Sequence, residues 1–252
     1  MEQKKERPIL FSGPMVRAIL DGRKTQTRRI VKPNHLEMVE AVLVTNGQWV
    51  FETLDYSLTT PYGKPGDSLW VRESWRIGAW NEYGEFCIDY IADNSARKEW
   101  LRCYDGDMFE RLQMQSTDDC DKSDIKMVDG GWTWKPGESP CRVRPSIHMP
   151  RWASRITLDI TGVRVERLQD ISKEDAMAEG LKCLTKDLPT YKYGIPDRDE
   201  LPGNDDFGWP WEEWKVDPRK SYKTLWEKIN GPGSWDTNPW VWVIEFSVRL
   251  PD

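Results

Sequence analysis

"SRITLDITGVRVERL", Ser154 to Leu168, decides how the rest of this chain reads. Ile156, Leu158 and Ile160 alternate with other residues, and the apolar positions then resume at Val163 and Val165. A period of two marks a strand with one buried face. The break between the two runs predicts a bulge or bend with Gly162 in it. The next stretch, "SKEDAMAEG" (Ser172 to Gly180), reads as a short helix. Ser172 is its N-cap, Asp175 closes a capping box and Gly180 stops it.

Outward from this pair, short strand and helix signals continue. "PILFS" reads as a strand. "PMVRAILDG" follows as a helix with Pro14 in its first turn, Val16, Ile19 and Leu20 on one face, and Gly22 as the stop. "GDSLWVRESW" is a turn and a strand, in which Leu69, Val71 and Glu73 share a face. That spacing suggests a carboxylate at the rim of a core. It would pair with Arg29 or Lys24, reach a substrate, or form a buried structural ion pair. "SYKTLWEKING" places Tyr222, Leu225, Trp226 and Ile229 at helical spacing, and "PWVWVIEFSV" is a strand apolar enough to be central. Two stretches, about 79–150 and 185–218, are polar and weakly periodic, as long loops or lids are. We therefore expect one domain over residues 1–252 with two insertions.

The chain has 252 residues and a net charge of -6. Its mean hydropathy is -0.72. No run reaches the roughly 18 apolar residues of a membrane span. "MEQKKERPILFSG" has no apolar core of a signal peptide. A cytoplasmic protein is expected, with no membrane partner. Five cysteines without C-x-x-C spacing, and only His35 and His148, suggest isolated thiols rather than a disulfide framework or a metal site. No phosphate-binding glycine loop or dinucleotide fingerprint occurs, so no cofactor is expected. Fifteen tryptophans imply a core built with Trp, or stacking platforms for bases or sugars.

Charge is unevenly spread. The acids concentrate in the insertions: Asp105 to Asp124 has seven, against Arg111 and Lys122. "GRKTQTRRIVKP" (Gly22 to Pro33) carries Arg23, Lys24, Arg28, Arg29 and Lys32 and no acid. A second basic run, Arg142, Arg144, Arg151 and Arg155, lies in Ser139 to Leu158, again without an acid, and near Trp132, Trp134 and Trp152. Cations mixed with aromatics are what single-stranded nucleic-acid binders use. The same residues also solubilise loops and pack cores.

Four stretches in order, "ILDGRKTQTRR", "PGDSLWV", "ITGVRVERLQDISKEDAMAEG" and "WVWVIEF", resemble the ASCH family, within less than half of the chain. The most specific is a G-x-K-x-x-x-x-R pattern, met by Gly22, Lys24 and Arg29. Many members of that family have Glu where this chain has Thr27. Thr there is similar to the small bacterial N4-acetylcytidine amidohydrolases, whose proposed catalytic set is Lys, Thr and Glu. The resemblance implies an α+β fold, a PUA-like β-barrel with short peripheral helices, and a catalytic set of Lys24, Thr27 and Glu179. The long insertions look more like the longer ASCH proteins of phages and prophages, whose activities mostly lack an established function.

The chemistry asked of these residues is amide hydrolysis: a nucleophile, a base for it and stabilisation of an oxyanion. Thr27 would attack, a partly neutral Lys24 would activate it, and Glu179 would handle protons. Lys24 and Thr27 point to opposite faces of a straight strand, so they converge only if the chain turns there. Gly22, Arg23, Arg29, Glu73 and Trp75 are the expected substrate-binding residues, and Arg28, Arg142, Arg144, Arg151 and Arg155 those for nucleic acid. The expected substrate is an acylated cytosine nucleoside, alone or within RNA, handled without a metal. A non-catalytic RNA or single-stranded DNA binder, or a nuclease, would use the same basic cleft.

Overall fold

The computed structural model describes residues 4–32, 38–43, 49–53, 57–125, 127–128, 131–203 and 208–249. Pro33, His35 and residues 204–207 of the second insertion lie outside them. In chain order the elements begin with β1 (Glu6–Leu10), α1 (Gly13–Leu20), β2 (Gln26–Ile30), β3 (Met38–Leu43), β4 (Trp49–Thr53), β5 (Ser57–Thr59) and β6 (Ser68–Arg72). There follow β7 (Trp75–Trp80), β8 (Glu85–Tyr90), β9 (Ser95–Ala96), β10 (Leu101–Arg102), α2 (Gly106–Asp121), β11 (Met127–Val128) and β12 (Gly131–Trp132). The chain ends with β13 (Thr157–Arg167), α3 (Lys173–Ala178), β14 (Lys182–Asp187), β15 (Thr190–Gly194), α4 (Pro218–Asn230) and β16 (Trp240–Arg249). Two compact units result: residues 1–9, 17–70 and 156–252, and residues 10–16 and 71–155.

The first unit is built on a sheet in the order β1-β6-β13-β16-β2. β13 and β16 form its spine, paired antiparallel from Thr157↔Arg249 to Arg167↔Trp240. The register shifts between Ile160 and Gly162, so the expected bulge is present and Thr161 has no residue opposite it. This extra residue resets the pleat. Leu158 and Ile160 before it, and Val163 and Val165 after it, therefore all stay on one face, across from Val248, Phe246, Ile244 and Trp242. The other face carries Arg164 and Glu166, beside Val243 and Val241. Gly162 leaves room there: a Cβ on it would lie 2.6 Å from a carboxylate oxygen of Glu245.

A closed PUA-like (ASCH) β-barrel is not what forms. The fold is mixed α+β with open sheets: β1 and β2 stand at opposite ends of the strand order and do not pair. Closure needs the two end strands to meet at a tilt and stagger shared by all strands. Period-two alternation reports only that one face is buried. A sheet backed by helices satisfies it as well as a barrel does. The helix α4 supplies Tyr222, Leu225 and Trp226 as buried side chains, capped by Asp217 with Pro218 in its first turn and stopped at Gly231. Ile229, expected on the same face, is exposed.

In the second unit β10, β8 and β7 form an antiparallel sheet, to which β9 adds by pairing with β8. Trp75, Ile77, Phe86, Ile88, Tyr90, Leu112 and Met149 share its core. The first insertion is thus a folded body with the 16-residue helix α2, not a long loop or lid. The β14–β15 hairpin straddles the start of the second insertion, with Lys182, Cys183 and Leu184 before it. Among the described residues, no helix is long and apolar enough to cross a membrane.

Candidate functional site

Lys24 is placed by the end of α1. Gly22 adopts a positive φ of 73° that L side chains rarely hold, and its N–H caps the Ile19 carbonyl. The chain then folds back: the Lys24 N–H donates to the Ala18 carbonyl at 2.9 Å and Thr25 N–H to the Ala178 carbonyl at 2.9 Å. Lys24 and Glu179 form an antiparallel bridge there. Glu179 is the C-cap of α3, and Gly180 after it has φ +106°. A Cβ on Gly180 would stand 2.9 Å from Ala18 Cβ and 3.2 Å from Lys24 Cβ, so glycine admits the close approach.

The Lys24 ammonium donates to Glu179 Oε2 at 2.8 Å and to the Glu179 carbonyl at 2.9 Å. Lys24 is 2% exposed and Glu179 3%. Arg28, from β2, donates to the other Glu179 oxygen at 3.0 Å, to Glu166 at 3.0 Å and to Asp175 at 3.1 Å. Arg164 bridges Glu166 at 3.1 Å, Asp175 at 2.7 Å and Glu245. The guanidinium of Arg28 lies over the Tyr222 ring of α4. Three cations and four carboxylates thus interlock on the polar face of the first unit's sheet. Asp175 turns its carboxylate to Arg164 and Arg28, while its backbone N–H donates to the Ser172 cap.

Burial dominates the electrostatics. It lowers the Lys24 pKa from its ordinary 10.5, against the attraction of Glu179, with Arg29 and Arg28 pushing the same way as burial. The Tyr222 hydroxyl is held well above its usual range by burial and by Glu179. For Arg28, burial opposes the charge, yet the surrounding carboxylates prevail and its pKa is raised. Among the described residues, no group of three or more His, Cys, Asp and Glu side chains could hold a metal ion.

The structure brings Lys24 and Glu179 together, and Arg28 with them. Lys24, Gln26 and Arg28 all reach the α3 region: Gln26 donates to the Asp175 carbonyl at 2.7 Å. Thr27 lies between them in β2, opposite Ile244 in the register, so strand alternation sends its hydroxyl to the other face. The chain does turn after Gly22, but before Lys24, and Lys24 to Arg28 runs extended. Gly22 acts as the helix stop. Arg23 donates to the Gly180 carbonyl at 2.7 Å and pairs with Asp21.

Glu73 and Trp75 belong to the second unit. The Glu73 carboxylate is 1% exposed and is gripped by both ends of the Arg155 guanidinium at 2.9 Å. Burial raises its pKa despite that cation. Arg155 also holds Asp93 and lies 4.0 Å from the Tyr90 ring centre. Arg142 is spent on Asp118 and Asp119. Arg144 is buried against the Trp75 ring, and Arg151 is exposed in a single helical turn. The basic run is therefore not one continuous cationic surface. Sequence reasoning missed Arg164, Glu166, Asp175 and Glu245. A signal existed for two of them: Arg164 and Glu166 alternate with Val163 and Val165, which assigns both charges to one face.

No family model, no curated protein and no solved structure matches this chain. The resemblance to the ASCH family is thereby withdrawn, in keeping with the open sheet.

Proposed function

We propose that the first unit is a deacylase, hydrolysing an acyl or amide group on a nucleobase such as N4-acetylcytosine. The observation that carries this reading is the Lys24–Glu179 pair, an amine and a carboxylate 2.8 Å apart with almost no exposure. A desolvated lysine gives up its proton more readily than one in water, so it can serve as a base below the ordinary lysine value of 10.5. In this reading neutral Lys24 takes a proton from water as the water oxygen attacks the acyl carbon. Arg28, on the same face of the extended segment as Lys24, supplies positive charge for the oxyanion, and Lys24 passes the proton to the departing nitrogen as the C–N bond breaks. Thr27 takes no part, because its hydroxyl leaves the strand on the other face. Five free thiols suit a reducing, cytoplasmic compartment.

The test is release of cytidine from N4-acetylcytidine, followed by chromatography. Turnover should disappear in Lys24→Met and Glu179→Gln, variants checked for folding by circular dichroism, and persist in Thr27→Val. The rate should rise with pH and level off below 10.5, the ordinary lysine value, because the neutral amine is the active form. Absence of release, or release unaltered in folded Lys24→Met, would overturn the reading and leave the cluster a structural one.

A further inference from the structure

A cavity of about 470 Å³ in the second unit is lined by Trp75, Arg111, Gln115, Arg142, Arg144 and His148, among others, and by no carboxylate. In a chain of net charge -6 this requires sorting, and α2 does it. Met108, Arg111, Leu112 and Gln115, spaced three and four apart, face the cavity. The helix's Glu110, Asp118 and Asp121 line a different depression, and Asp119 is held by Arg142.

Two buried donor groups at this cavity have hydrogen-bonding capacity to spare. Arg144 is 7% exposed, yet its guanidinium reaches only the Arg142 carbonyl and Gln115 Oε1, each at 3.3 Å, and no carboxylate. Asp119 attracts this guanidinium from a distance but does not bond it, so a buried cation whose donors meet only neutral oxygens can receive an anion. The Trp75 residue is 1% exposed and its indole N–H is buried without a partner. Arg111 and His148 stand at the same cavity and are exposed.

We infer that this cavity binds a phosphate group, received by Arg144, Trp75 N–H, Arg111 and His148 and carried on a nucleotide or a single-stranded nucleic acid. The volume exceeds what a bare anion fills and suits a ligand with an organic portion. Planar guanidinium donors from two elements match the several oxygens of a phosphate. Arg142, tied to Asp118 and Asp119, positions the segment rather than contacting the ligand. The inference does not depend on the Lys24 reading, since it concerns the other unit.

The test is titration calorimetry on the full chain with cytidine, cytidine 5′-monophosphate, inorganic phosphate and a single-stranded RNA octamer. Phosphate-bearing probes should bind and cytidine should not. Arg144→Gln and the exposed Arg111→Ala should each weaken binding at least about tenfold, while Arg97→Ala elsewhere in the unit should not. Binding of the mononucleotide alone, or of the octamer with a steep salt dependence, identifies the source of the phosphate. Equal affinity for cytidine and its monophosphate, no binding of any phosphate probe, or indifference to Arg111→Ala in a folded variant would overturn the inference.

Discussion

Gly180 holds Lys24 in place by what it lacks. Its φ of +106° and the 2.9 Å contact a Cβ would make with Ala18 both oppose any side chain. Gly180→Ala should cost about 1–3 kcal/mol, read from urea midpoints, and should disturb the Lys24–Glu179 bridge before the rest of the sheet. Arg28 is the other sensitive residue, with its side chain fully enclosed between Glu166, Asp175 and Glu179. Arg28→Met strands those carboxylates, and the expected loss is about 3–5 kcal/mol; Arg142→Ala, on an exposed guanidinium, should leave the midpoint unchanged. Glu73 supplies a pH test. Its pKa is raised above 4.5 by burial, so the native state holds a proton that the unfolded chain has already released. Stability should therefore fall as pH rises from 4.5 through that raised value. Glu73→Gln should flatten this slope in urea unfolding measured across the same range.

At the scale of elements, β13, α3, α4 and β16 were legible because each carries its own periodicity and stop signal. The Ser172 hydroxyl accepts from the Asp175 N–H at 2.9 Å, as the cap pattern implied. Ser172→Ala should cost about 1 kcal/mol in thermal unfolding and loosen the helix that delivers Glu179. Helix α2 was not legible, and its buried stripe says why. Leu112, Ser116 and Cys120 point inward at helical spacing, but two of the three are small and polar-looking in a sequence. Ser116 is accommodated by donating to the Leu112 carbonyl at 2.8 Å. The polar face of the central sheet was half legible: Lys24 and Glu179 stood out, whereas Arg164 and Glu166 did not, because their partners Arg28, Asp175 and Glu245 come from other elements of the chain.

For the whole molecule, the failure of barrel closure could not be read from alternation, since burial of one face is common to both architectures. The thiols give a test of the second unit's fold. Cys183 is exposed, Cys87 half-buried, and Cys103, Cys120 and Cys141 buried. Burial and the neighbouring Cys141 push the Cys120 thiol up to about 12. A thiol reagent at mildly alkaline pH should modify Cys183 first, Cys87 slowly, and the other three only in denaturant; fast reaction of all five would contradict the core of the second unit, which holds those three. The unpaired link in the spine strand has its own consequence. Without Thr161, Leu158, Ile160, Val163 and Val165 would form an unbroken alternation. A chain shortened by that single residue should still fold with the same side chains inward, which marks this point as a place where the polypeptide can change length without losing its phase.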